Sequence, residues 1–84
     1  MVIDIIERTE RFDKAIARIK DSAVTDRVQK QIIKIIEEPE IGKPMMYNRK
    51  GTREVYVPPF RLSYAYFREE NKIILLNLYH KDEQ

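Results

Sequence analysis

The stretch VPPFRLSYAYF, Val57 to Phe67, places an arginine among aromatic and aliphatic side chains. A guanidinium stays charged and grips phosphate through two parallel N–H donors, so Arg61 is a candidate phosphate ligand. The structural alternative is a cross-strand ion pair with Glu54, worth under ~1 kcal/mol if exposed. Upstream, Lys43, Arg49, Lys50 and Arg53 bring four positive charges into a stretch with no acid, with Tyr47 among them. A basic loop with an aromatic residue is an electrostatic footprint for nucleic acid, although many such loops are only solvated. Tyr56 and Tyr79 are candidates for stacking on bases, with packing as the alternative reading. His80, the one histidine, is either a proton donor or an ordinary strand-end residue, and Lys81 follows it.

These residues must be held by secondary structure. Val2 to Ile6 is short, apolar and β-branched, which predicts a first strand. Thr9 is placed to cap a helix whose Phe12, Ala15, Ile16 and Ile19 recur at i, i+3, i+4 and i+7. Ser22 or Thr25 restarts a second helix with Val24, Val28, Ile32, Ile35 and Ile36 as its apolar stripe, and Pro39 closes it. IGKPMMYNRKG reads as a connection. Three strand-like runs follow, TREVYV, FRLSYAYF and KIILLNLYH, joined by a Pro58–Pro59 turn and by REENK. The fold class is therefore α+β, in the order β-α-α-β-β-β, with a helical hairpin on one face of a small, mostly antiparallel sheet.

Strand alternation sorts the side chains by face. Val55, Val57, Leu62, Tyr64, Tyr66, Ile74, Leu76 and Leu78 are the expected helix-facing set. The opposite face then carries Glu54, Tyr56, Arg61, Ser63, Tyr79 and Lys81, with Ile73 and Leu75 as an apolar pair. That pair reads either as a docking surface or as part of a strand covered on both sides. His80 and Lys81 cannot both face Arg61 on a regular strand.

Bulk composition bounds the rest. Eighty-four residues, 43% hydrophobic and 36% charged, make one globular domain over residues 1–84 with a charged exterior. A chain this short buries only about 60–65% of its extended surface. The net charge of +2 is too small to be informative alone. The absence of cysteine excludes a disulfide framework, a thiolate zinc site and a cysteine nucleophile, and one histidine cannot build a multi-histidine metal site. No cofactor is expected. No run approaches the roughly 18 apolar residues of a membrane span, and MVIDIIERTE lacks a signal peptide's features, so the expected location is the cytoplasm.

GTREVYVPPFRLSYAYF followed by KIILLNLYHK resembles the RelE/ParE superfamily of toxins from toxin–antitoxin pairs. Gly51, Arg53, Glu54, Val57, Phe60, Arg61, Leu62, Tyr64, His80 and Lys81 stand at matching places, and Gly42 to Pro44 is similar to the family's connection before the sheet. The resemblance covers nearly the whole chain. It implies a cytoplasmic toxin that cleaves messenger RNA on the ribosome through the ribose 2′-hydroxyl and is neutralised by a partner antitoxin, with which a heterotetramer is one assembly. On this resemblance Arg61 stabilises the phosphorane-like transition state, His80 matches the general acid of the YoeB-like branch, and Lys81 matches a basic residue of RelE-like members. The departures are Met45 in place of that branch's glutamate, and Thr52 and Glu54 in place of RelE's lysines. The base is thus unassigned, with Glu54 available for it or for pairing with Arg61. Two alternatives stay open: a ParE-like gyrase inhibitor, and a relative that only binds an antitoxin.

Overall fold

The computed structural model describes residues 3–44 and 51–80. The tyrosine at 47, Arg49, Lys50 and Lys81, all singled out above, lie outside them. The elements are β1 (Ile5–Arg8), α1 (Glu10–Arg18), α2 (Ser22–Glu37), β2 (Lys43–Pro44), β3 (Thr52–Val57), β4 (Phe60–Phe67) and β5 (Lys72–His80). They form an α+β fold in which one five-stranded sheet, ordered β1-β5-β4-β3-β2, packs against two helices. All neighbours run antiparallel except β1, which pairs parallel with β5.

Both helices form where the apolar periodicity puts them. Thr9 caps α1, its hydroxyl oxygen accepting from the Phe12 N–H at 3.1 Å. Asp21, rather than Ser22 or Thr25, caps α2 by accepting from the Ala23 N–H at 2.9 Å. Phe12 of α1 and Val24, Val28 and Ile35 of α2 are buried, while Ala15, Ile16, Ile19, Ile32 and Ile36 pack around them. α1 lies over β5 and α2 over β3. From the sheet, Val55, Val57, Leu62, Tyr64, Ile73, Leu75 and Leu78 complete the core.

Three sequence expectations change here. The first strand spans Ile5–Arg8, beyond the Val2–Ile6 expected, because its ladder partners are Lys72 to Leu75. The GKP connection contributes a short edge strand, with Lys43 and Pro44 opposite Glu54 and Arg53. The third change is in β5. Ser63 pairs with Asn77 but Tyr64 pairs with Leu75, so Leu76 has no counterpart on β4. One extra residue in a strand reverses the parity of everything beyond it. Ile73 and Leu75 therefore face the helices on one side of the bulge and Leu78 does so on the other, each at most 4% exposed. The apolar pair expected on the open face is core. Thr9 anchors this bulge: its hydroxyl donates to the Leu76 carbonyl and its N–H to the Leu75 carbonyl at 3.0 Å. The residue that caps α1 thus satisfies the backbone that the ladder leaves behind.

Candidate functional site

On the sheet face away from the helices, β3, β4 and β5 bring three polar side chains together. Arg61 lies opposite Tyr56 on β3 and Tyr79 on β5, and Glu54 is its diagonal neighbour. Arg61 Nη1 donates to Glu54 Oε1 at 2.6 Å. The Tyr79 hydroxyl donates to the other carboxylate oxygen, Glu54 Oε2. To reach it the tyrosine spans β4, since Tyr79 lies opposite Arg61 on one side of that strand and Glu54 opposite Ser63 on the other. The Glu54 side chain is 16% exposed and that of Arg61 38%. The bond to Glu54 raises the Arg61 pKa above its ordinary value, against the opposing effect of desolvation. Arg61 Nε is buried without a hydrogen-bond partner.

Parity decides who joins this cluster. Tyr56, two residues from Glu54, shares the face and is 49% exposed. Exposed Lys43, directly opposite Glu54, also lies on it. His80 does not. It pairs with Phe60, which packs on the core, and the two rings meet edge to face with centroids 5.8 Å apart. The imidazole therefore lies on the helix side of the sheet while Tyr79 faces Arg61.

Arg53, the other described member of the basic stretch, also lies on the helix side, opposite Tyr64. Its Nη1 donates to the carbonyls of Glu40 at 3.0 Å and Gly42 at 2.8 Å, and its Nη2 lies 3.6 Å from Glu40 Oε2. Tyr64 completes the clasp. Its hydroxyl donates to the Pro39 carbonyl at 2.7 Å and accepts from the Gly42 N–H at 2.9 Å. Burial pushes this phenol above the ordinary tyrosine pKa, and the Gly42 N–H only partly offsets that. Both residues tie down the loop that leads into β2. Tyr64 in this role was not foreseen, and its only sequence signal was a polar atom at a core-parity position.

A second feature lies on the helix side: an open groove of about 990 Å³ between the start of the helical hairpin and the β4–β5 end. Arg11, Lys14, Arg18 and Lys20 rim it, outnumbering Glu10 and Asp21, and Phe60 and Leu78 contribute apolar floor. Among the described residues no helix is long and apolar enough to cross a membrane.

With this geometry in hand, relatives can be compared. The family model for the ParE toxin of the type II toxin–antitoxin system parDE matches residues 6–84. The chain belongs to this toxin family. Among curated proteins, none matches it by sequence. Solved structures match its fold. The Mycobacterium tuberculosis RelBE2 toxin–antitoxin complex includes a chain with a TM-score of 0.79 at 20% identity, over 95% of this toxin and 100% of that chain. A chain of the intact E. coli RelBE toxin–antitoxin complex gives 0.77 at 17%, over 90% and 94%. The YoeB/ParE toxin from Agrobacterium tumefaciens gives 0.78 at 12%, over 92% and 98%. The toxin thus shares the RelE-like architecture, two helices on a mostly antiparallel sheet, at identities that speak for fold alone.

Proposed function

We propose that this toxin is a ribosome-dependent mRNA endonuclease whose working face is the helix-free side of the sheet. The observation that carries the reading is that Arg61, Glu54 and Tyr79 are hydrogen-bonded into one cluster on that side. Cleavage through the 2′-hydroxyl needs a proton acceptor, a cation for the developing phosphorane charge and a proton donor for the leaving oxygen. In this reading Glu54 takes the 2′-hydroxyl proton as the O2′–P bond forms, and Arg61 holds the non-bridging oxygens. Tyr79 gives its proton to O5′ as the P–O5′ bond breaks. The products are a 2′,3′-cyclic phosphate and a 5′-hydroxyl, and the Glu54–Tyr79 hydrogen bond is the route by which the tyrosine regains its proton. Tyr79 takes the donor role in place of His80, whose ring is on the other side. Lys43 and Tyr56 flank the cluster for backbone and base contacts.

Two relatives were solved as toxin–antitoxin complexes, and we assign this toxin an antitoxin partner as well. The groove rimmed by Arg11, Lys14, Arg18 and Lys20 suits an acidic, amphipathic segment of such a partner. A ribosomal target places the protein in the cytoplasm.

The test is incubation with programmed ribosomes. Cleaved messenger, lost with Arg61→Ala, is the expected result, and intact messenger at stoichiometric toxin overturns it. The second reading, inhibition of DNA gyrase, is favoured by the ParE family match itself. A supercoiling assay that shows no inhibition at excess toxin removes it.

A further inference from the structure

Two ways exist to present a guanidinium's parallel donors to a phosphate: the Nε–Nη2 side and the Nη1–Nη2 end. In Arg61 the first is closed, because Nε is buried with no partner. The second includes Nη1, which already serves Glu54 Oε1 at 2.6 Å. Glu54 is itself held, with Tyr79 on its other oxygen, and at 16% side-chain exposure it is less open to solvent than the arginine. A carboxylate and a phosphodiester cannot share one nitrogen without like-charge repulsion at close range.

We propose that Glu54 is a resident counter-ion occupying the site on Arg61 that an RNA phosphodiester takes, so that the ligand must displace it to bind. This rests on the reading of Arg61 as phosphate ligand and adds how the site is kept closed without RNA. The carboxylate pre-orients the guanidinium and lowers its affinity for non-specific anions. Once displaced, Glu54 Oε1 is free to accept the 2′-hydroxyl proton, and the Tyr79 hydroxyl turns from Oε2 to donate to O5′ before it pairs with Glu54 again and regains its proton. Glu54 thereby weakens ground-state binding and assists the chemical step.

The experiment is fluorescence anisotropy with a labelled short RNA carrying 2′-deoxy substitutions that prevent cleavage, titrated with the full chain. Glu54→Gln tightens binding roughly five- to tenfold, the size of the repulsion between two unit charges about 4 Å apart in a water-like dielectric. Glu69→Gln, an equal change of charge in the exposed β4–β5 turn, changes binding less than about twofold, since salt screens distant charges. The Glu54→Gln/Arg61→Ala double variant binds no better than Arg61→Ala. Glu54→Ala is read in the same way if the glutamine variant fails to fold. The proposal is overturned by unchanged or weaker binding in both Glu54 variants, by an equal gain in Glu69→Gln, or by a gain that survives loss of Arg61. If Arg61→Ala binds as tightly as the native chain, or if no variant binds, the phosphate-ligand reading falls with it. Weakening by Arg61→Ala without a gain on removing Glu54 sinks only the counter-ion.

Discussion

Tyr64→Phe isolates the hydroxyl that clasps the loop before β2. The hydroxyl satisfies the Gly42 N–H at 2.9 Å and the Pro39 carbonyl at 2.7 Å, and the ring is fully buried. A phenylalanine keeps the ring but orphans a buried donor, at about 1–3 kcal/mol, and leaves the less buried carbonyl to recover water, at about 1 kcal/mol. The expected loss is therefore about 2–4 kcal/mol, against roughly 4–13 kcal/mol for a domain of this size. In a domain this small each kcal/mol moves Tm by about 4–8 °C, so the Tm followed by circular dichroism drops by roughly 8–32 °C. The reasoning also predicts a coupling. A Cβ on Gly42 lies 2.7 Å from the Tyr64 hydroxyl, 2.9 Å from its ring and 3.0 Å from the Glu54 carbonyl, so Gly42→Ala is destabilising by itself. Removing the hydroxyl relieves the shortest of these contacts, and the double variant loses less than the two singles combined. A Tyr64→Phe loss under about 0.5 kcal/mol, or strict additivity with Gly42→Ala, refutes the clasp.

The same phenol sets an alkaline limit. Its folded pKa is raised, so above about pH 10 the unfolded chain releases this proton more readily than the folded one, and stability falls with rising pH. Denaturant titrations from pH 8 to pH 11 should show a smaller alkaline loss in Tyr64→Phe than in the native chain. Thr9→Ala removes the α1 cap and the bond to the bulged Leu76 carbonyl, for about 1–2 kcal/mol in a urea melt. In the ribosome assay Tyr79→Phe slows single-turnover cleavage by about 10²-fold or more, while His80→Gln stays within a few-fold. A large rate loss in His80→Gln with ribosome binding intact would return the donor role to the histidine. Paired Lys14→Glu and Arg18→Glu reversals weaken antitoxin capture in a pull-down, at a Tm cost of only a few °C from the lost Glu10–Lys14 pair and the acid placed at the end of α1, and undiminished capture removes the groove from the interface.

Much of the fold was legible because its determinants are local. The stripe from Phe12 to Ile19, the stripe from Val24 to Ile36 and the Pro58–Pro59 turn follow from helical periodicity and from proline's missing donor, and each is where the pattern put it. The Arg61–Glu54 pair was also readable, since two strands joined by a tight turn have a register that can be counted. Tertiary structure decided the rest. Nothing near Leu76 in sequence announces a bulge. It exists where β5 pairs with β4 and where Thr9, 67 positions away, supplies a donor to its carbonyl. That one residue reverses parity, brings Ile73 and Leu75 into the core, and leaves Tyr79 on the Arg61 face with His80 behind it. Arg53 likewise has the composition of a nucleic-acid contact, yet its guanidinium binds the carbonyls of Glu40 and Gly42. Residue type and spacing determined which side chains could do chemistry, and long-range pairing decided which of them meet, because side-chain direction in a sheet depends on a register that the chain sets only by folding.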